Sequence, residues 1–285
     1  MPLFSNWNGK IVENTKICIS PDNRSFRYGD GCFETIKVIN GRILLADLHF
    51  QRLFSSLQTL KFSIPASLTP AYFESQIKQL VQINEHEELA RVRLVVYAGE
   101  GALYDVAERH PNFIIQSWIG NKDSIDFNDI GLILGIFWDA RKTADVFSCI
   151  KSNNYLGYVM GAIWGKQNGL DDCILTNAFN RVADATIANI FIVSDGIVKT
   201  PTLAEGCVNG VMRKYLLACL RSENIPFLET EISFEEVLNA SEIFLTNANY
   251  GVRWVQKVGN SSYSNSVSSS LHKKFISPLF TYSTF

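Results

Sequence analysis

Lys151 closes the apolar run Val146-Phe147-Ser148-Cys149-Ile150. A lysine amine attacks a carbonyl, or holds an aldehyde as an imine, only when part of it is neutral, and an apolar or cationic neighbourhood favours that by lowering its pKa. Asn209-Gly210-Val211-Met212 opens a helical pattern, where unsatisfied N–H groups and the helix dipole favour an anion and Gly210 lets the backbone come close. By themselves, Asp184 reads as a capping or turn aspartate, Arg52 as a helix-surface cation and Asn247 as a strand-end residue. Most lysines and arginines are solvated surface charges. Gly29-Asp30-Gly31 is a turn before a strand and no nucleotide loop, since it lacks the further glycine and a following lysine. The six cysteines are scattered, with no CxxC pair and no clustered histidine, so neither a metal-ligand set nor a disulfide framework is expected. Taken one at a time, none of these residues names a reaction.

The elements that must position them alternate between strand and helix. Ile36–Ile39 and Arg42–Leu45 flank Asn40-Gly41, a two-residue turn that predicts a hairpin, and Asp195-Gly196 predicts a second one between Asn189–Ser194 and Ile197–Thr200. From Asp47 as N-cap, Leu53, Phe54, Leu57 and Leu60 repeat as one helix face, and this helix carries Arg52. Thr69 as N-cap with Pro70 behind it predicts a helix burying Phe73, Ile77, Leu80 and Val81. Arg91–Ala98 and Asn112–Trp118 read as strands. After the polar stretch 120–129 come strands at Ile130–Phe137, Asp172–Thr176, Glu242–Thr246 and Val252–Val258. Helices are expected at Tyr155–Gln167, ended by Gly169, and at Gly210–Ser222, with a short one opened by the capping box Ser233–Glu236. The serine-rich stretch 259–270 reads as a mobile loop before a terminal segment that the pattern does not place.

The chain has 285 residues, of which 47% are hydrophobic and 12% aromatic, so it can bury a sizeable core. At ~150 residues per domain that is about two domains, expected at 1–119 (smaller, α/β) and 130–285 (larger, α/β, carrying Lys151), with 120–129 as linker. With 26 basic and 28 acidic side chains, the formal net charge of -2 offers no field to hold nucleic acid or an acidic membrane surface. The first ten residues lack a basic region followed by an apolar stretch. The longest apolar runs fall short of the ~20 residues a bilayer requires, and a reducing cytoplasm is expected.

A set of motifs in fixed order changes the weight of the single residues. Arg27-Tyr28-Gly29-Asp30-Gly31-Cys32-Phe33-Glu34-Thr35, then His49-Phe50-Gln51-Arg52-Leu53, then Ile150-Lys151-Ser152-Asn153-Asn154-Tyr155 resembles the class IV aminotransferase family, the fold-type IV pyridoxal phosphate enzymes. Val182-Ala183-Asp184, Asn189-Ile190-Phe191, Thr200-Pro201, Val208-Asn209-Gly210-Val211-Met212-Arg213 and Glu242 to Ala248 fall where that family has its cofactor-site segments. The resemblance spans about residues 24 to 258. It implies a mixed α/β, two-domain fold of the D-amino acid aminotransferase kind, pairing as a homodimer, although the sequence shows no isolated interface stripe.

The resemblance implies pyridoxal 5'-phosphate as cofactor and Lys151 as its Schiff-base lysine. Asp184, 33 positions later, stands where the family has a glutamate that keeps the pyridine nitrogen protonated and the ring an electron sink; here the side chain is one methylene shorter. The phosphate falls to Arg52, to the main-chain donors of Gly210, Val211 and Met212, where aminotransferases of the family usually have Ile-Thr, and to the turn of Asn247 and Ala248. Thr35 is placed against substrate. Val208 to Arg213, Asn247-Ala248 and Gly29 to Thr35 are similar to the aminodeoxychorismate lyase branch. The activity implied is conversion of 4-amino-4-deoxychorismate to 4-aminobenzoate and pyruvate, a step towards folate. The alternatives are a branched-chain or D-amino acid aminotransferase with the same lysine, and a non-catalytic relative of the same fold.

Overall fold

The computed structural model describes residues 3–105 and 109–281. They form two units, one of the described residues up to Lys122 together with Ile150–Asn154, the other of Asp123–Cys149 together with Tyr155 onward. In the first unit the chain makes strands β1 (Phe4–Trp7), β2 (Lys10–Glu13), β3 (Gly31–Ile39), β4 (Arg42–Ile43), β5 (Leu89–Ala98) and β6 (Pro111–Ile119), with helices α1 (Arg24–Tyr28), α2 (Ala46–Thr59) and α3 (Pro70–Ile83). The six strands pair antiparallel in the order β2-β1-β6-β5-β3-β4.

Period-two alternation sends Ile36 and Val38 of β3, Val92, Leu94 and Val96 of β5 and Ile115 of β6 into one core. The helices cover it with residues three and four apart: Phe50, Leu53 and Leu57 from α2, and Phe73, Ile77 and Leu80 from α3. Thr69 caps α3 and Pro70 opens it, as the sequence predicts. Asn40 and Gly41 take φ of 50° and 70°, giving the expected hairpin. The start of α2 differs from expectation. Asp47 is no N-cap but lies in the first turn, because Leu45 at φ 52° turns the chain straight from β4 into the helix; there the Asp47 carboxylate still faces the favourable end of the helix dipole. β3 begins five residues before the expected Ile36, since Gly31 to Thr35 also pair with β5, and burial of nearly every residue hides the alternation.

The second unit holds β7 (Leu132–Lys142), α4 (Leu156–Gln167), β8 (Asp172–Asn177), β9 (Val182–Ala185), β10 (Asn189–Ser194), β11 (Ile197–Pro201), α5 (Val211–Ser222), β12 (Phe227–Thr230), α6 (Phe234–Asn239), β13 (Glu242–Asn247), β14 (Gly251–Val258), β15 (Ser261–Ser262), α7 (Ser266–Leu271) and α8 (Ser277–Thr281). Its mixed sheet runs β12-β11-β10-β13-β14-β7-β8-β9, with β15 against β14. Leu134, Ile174, Ile190, Ile192, Ile243, Leu245 and Val255 fill one face, while Phe191 and Phe244 stack at 5.0 Å on the other. The stretch 259–270 is no loop throughout. It makes β15 and α7, whose first amides, on Val267 and Ser268, donate to the buried Glu242 carboxylate at 2.7 and 3.0 Å. A cap donated from another strand is invisible in the serine-rich segment itself.

Helix α4 is apolar nearly all round. Tyr158, Gly161 and Gly165 face inward, yet Leu156, Val159, Met160 and Ile163 stand exposed at spacings of three and four. Here the structure supplies an apolar stripe that the sequence reading does not isolate.

Phe73 is fully buried, 5.2 Å from the Phe113 ring and 6.4 Å from Phe50. Phe73→Ala is expected to lower the urea-unfolding free energy by about 3–5 kcal/mol, the cost of an aromatic-sized cavity.

Candidate active site

The sequence reading places Lys151 in the larger C-terminal domain, but Ile150–Asn154 packs with the first unit, because its backbone pairs with β3. Phe33 N–H donates to the Lys151 carbonyl at 2.9 Å, Asn153 N–H to the Gly31 carbonyl at 3.0 Å, and Cys32 bridges Ser152 antiparallel. The segment thus runs as a short ladder along β3, which fixes where Lys151 stands. Its side chain is half-buried, with Nζ 4.7 Å from the centroid of the Phe33 ring, a cation–π contact. Thr35 lies two residues along the same strand and is half-buried.

Between them in sequence, Glu34 points to the helix side of β3 and is 2% exposed. Two residues of α2, three apart and hence on one face, meet it. Arg52 Nε donates to Glu34 Oε1 at 2.8 Å, Arg52 Nη2 donates to Oε2, and His49 Nδ1 lies 2.7 Å from Oε2. Burial pushes the Glu34 carboxyl up, but the Arg52 guanidinium and the His49 hydrogen bond outweigh it and hold it at about 2. Burial likewise pushes the His49 imidazole below its ordinary value, against the pull of Glu34. The neutral ring then donates through Nδ1 and keeps Nε2 as an acceptor. Arg52 is therefore aimed by a fixed, ionised carboxylate rather than left on the helix surface.

In the second unit Asp184 lies on β9 and is buried. Its Oδ2 accepts from the Tyr158 hydroxyl at 3.0 Å and from Val208 N–H at 3.0 Å. Val208 is also tied through its carbonyl, which accepts from Asn189 Nδ2 at 2.8 Å, and Asn209 N–H donates to the Cys149 carbonyl at 3.0 Å. Gly210 follows as the N-cap of α5 and gives no side-chain cap to the amides of Val211, Met212 and Arg213. A Cβ on Gly210 would lie 1.8 Å from Asn189 Oδ1, so the sharp approach of this segment to β10 excludes a side chain. Val211 and Met212 are buried. β10 pairs with β13, Asn189 opposite Thr246, which puts Asn247 and Ala248 at the same end of the sheet as Asn189. Asn247 folds its own turn: Oδ1 accepts from the amides of Asn249 and Tyr250 at 2.9 and 3.0 Å, and Nδ2 reaches the Ile187 carbonyl.

The structure thus groups Thr35, Arg52 and Lys151 in the first unit, and Asp184, Gly210, Val211, Met212, Asn247 and Ala248 in the second. Sequence reasoning assigned no role to Glu34, His49, Tyr158 or Lys142. For the first two a signal exists, since His49 and Arg52 lie three apart on a helix beside the apolar Leu53, and buried polar groups call for a partner. Among the described residues no cluster of His, Cys, Asp and Glu is placed to hold a metal ion, and no helix is long and apolar enough to cross a membrane.

Because the Glu34 pKa is depressed from 4.5 to about 2, its contribution to stability is complete above pH 4.5 and is lost as pH falls through that window. Thermal unfolding followed against pH is expected to show that loss in the wild type and a flatter profile in Glu34→Gln. At neutral pH the variant is expected to be about 3–5 kcal/mol less stable, because the Arg52 charge stays buried without its anion.

Three curated relatives span most of the chain. A Methanocaldococcus jannaschii protein provisionally named a branched-chain-amino-acid aminotransferase is 29% identical over 241 residues, 84% of this chain and 82% of its own. An aminodeoxychorismate lyase of Vibrio harveyi is 26% identical over 232 residues, 81% of this chain and 83% of its own, and a D-alanine aminotransferase of Bacillus licheniformis is 26% identical over 252 residues, 85% and 83% of the two chains. Among solved structures, the branched-chain aminotransferase of Thermoproteus uzoniensis with norvaline superposes with a TM-score of 0.88 at 22% identity, covering 98% of this chain and 95% of its own, which speaks for the fold. The family description for amino-transferase class IV matches residues 31–258, a span that contains both groups of residues described above, and this chain belongs to the class IV aminotransferase family.

Proposed function

We propose that this protein is a lyase that converts 4-amino-4-deoxychorismate to 4-aminobenzoate and pyruvate. Enzymes of the family depend on pyridoxal 5'-phosphate, and the residues present suit it. A half-buried amine, a buried carboxylate held by two donors, and a helix start with no side chain over its amides are the three kinds of group that an aldehyde, a pyridine nitrogen and a phosphate need. When bound, the cofactor supplies an electron sink for the charge left when a substrate C–H bond breaks.

The chain's own residues do the rest. Lys151 would hold the aldehyde and, once displaced by the substrate amine, take the proton from the ring carbon that bears nitrogen. As an ammonium it would return a proton to the carbon of the departing enol, so that pyruvate leaves and the ring becomes aromatic. Asp184 would keep the pyridine nitrogen protonated. Arg52, aimed by Glu34, and the amides of Val211 and Met212 would bind phosphate, with Gly210, whose own amide donates to the Val208 carbonyl at 2.8 Å, leading into them. Asn247 and Ala248 would bound the phosphate side, and Thr35 would contact substrate. The observation that carries the lyase reading is the start of α5, where Val211 and Met212 leave only main-chain donors in place of the Ile-Thr pair usual in aminotransferases of the family.

The 29% identity to the M. jannaschii protein favours a second reading, transamination of branched-chain or D-amino acids with the same lysine. Its different need is a pocket that admits two substrates in turn. We further infer a cytoplasmic homodimer, for which the exposed Leu156, Val159, Met160 and Ile163 of α4 supply an apolar stripe.

Purified protein is expected to be yellow, to be bleached by borohydride with the label on Lys151, and to lose both properties in Lys151→Ala. Given 4-amino-4-deoxychorismate it is expected to release 4-aminobenzoate; amino exchange between amino acids and 2-oxoglutarate without that product would replace the lyase by the transaminase. In sedimentation equilibrium, Val159→Asp is expected to shift the protein from two copies to one.

A further inference from the structure

Asp184 is shorter than the family's glutamate, and the structure grips it with two donors on one oxygen. Tyr158 comes from the inward face of α4, stacked on Tyr155 at 4.2 Å, while the Tyr155 hydroxyl is itself tied to the Thr186 carbonyl at 2.9 Å. The Tyr158 hydroxyl donates to Asp184 Oδ2 at 3.0 Å and accepts a hydrogen bond from the Lys142 ammonium, whose Nζ also lies 4.4 Å from the ring centroid. From the other side, Val208 N–H completes the grip on Oδ2.

We propose that Tyr158, backed by Lys142, is a positioning residue that lets the short Asp184 side chain serve the ring nitrogen of the cofactor. The inference rests on the reading of Asp184 given under Proposed function and adds to it the device by which an aspartate suffices. Two donors on one oxygen fix the carboxylate plane, and a carboxylate oxygen has lone pairs enough for both. They also favour the ionised form, so that a proton shared with a pyridine nitrogen stays on the nitrogen. Without the Tyr158 donor the carboxylate becomes the better base, and the proton moves from the ring nitrogen to Asp184. Burial and then the charge of Asp184 push the Tyr158 phenol well above its ordinary value, which keeps its proton available for donation. Asp172 on β8 and Cys207 before α5 also feel the charge of Asp184. Both are buried. Neither is altered by the substitutions below.

The test uses holoenzyme loaded with pyridoxal 5'-phosphate carrying 15N at the ring nitrogen, in wild type, Tyr158→Phe, Lys142→Met and Asp184→Ala. Tyr158→Phe keeps the ring packed on Tyr155 and removes only the donor. At neutral pH its 15N resonance is expected to move from the protonated towards the deprotonated position, and its cofactor dissociation constant to rise about tenfold, the loss of one hydrogen bond to a charged group. Borohydride labelling of Lys151 is expected to persist. Lys142→Met is expected to move the resonance the same way by a smaller amount, and it carries the test should Tyr158→Phe fail to fold. If Asp184→Ala moves the resonance while Tyr158→Phe and Lys142→Met leave both resonance and affinity unchanged, the role of Tyr158 is overturned and the reading of Asp184 stands. If Asp184→Ala also leaves the resonance unmoved, that reading falls, and this inference with it.

Discussion

A carboxylate withdrawn from water has to be met by donors that are themselves held in place, and each unit of this protein has such a carboxylate among the residues described above. In the first unit, Glu34 is buried on β3 and answered by Arg52 and His49 of α2. In the second, Asp184 is buried on β9 and answered by Tyr158 of α4 and the Val208 amide. In both cases a helix delivers the partner side chain to a strand, so the packing that closes the core also fixes the polar group. Such an arrangement is intolerant of half measures, because removing one partner leaves the other charged or polar group buried and unsatisfied.

That constraint explains why positions near the candidate site look overdetermined. Arg52 is a positioned cation because two of its nitrogens are committed to Glu34. The segment before α5 is pinned at Val208 by both its amide and its carbonyl, and Gly210 follows where Asn189 leaves no room for a side chain. The start of α5 therefore presents main-chain amides on a backbone that cannot relax away from β10, a geometry suited to an anion. Lys151 is treated in the same manner: its backbone is laddered to β3, and its Nζ lies 4.7 Å from the Phe33 ring centroid.

The family relation settles the fold and the cofactor class more firmly than the substrate. Relatives at comparable identity are named for lyase and for transaminase chemistry, and a fold shared at low identity does not choose between them. The roles proposed for Lys151, Asp184 and the start of α5 are the same in both chemistries.

Local pattern was enough for elements whose signals lie within a few residues. The hairpin turns at Asn40-Gly41 and Asp195-Gly196, Thr69 and Pro70 at the start of α3, the Ser233–Glu236 capping box and the end of α4 at Gly169 are all legible, because turn chemistry and helix capping act over one to four positions. The order of motifs along the chain is what marks Lys151, Arg52 and Asp184 as candidates. The partners of those residues could not. Glu34 against Arg52, Tyr158 against Asp184, Asn189 against Gly210 and Glu242 capping α7 each join positions from different elements, and nothing in one segment announces what another brings to it. Local pattern chose most of the strands and helices, and the order of motifs marked the candidate side chains; burial in three dimensions decided which side chains are aimed and which are merely packed.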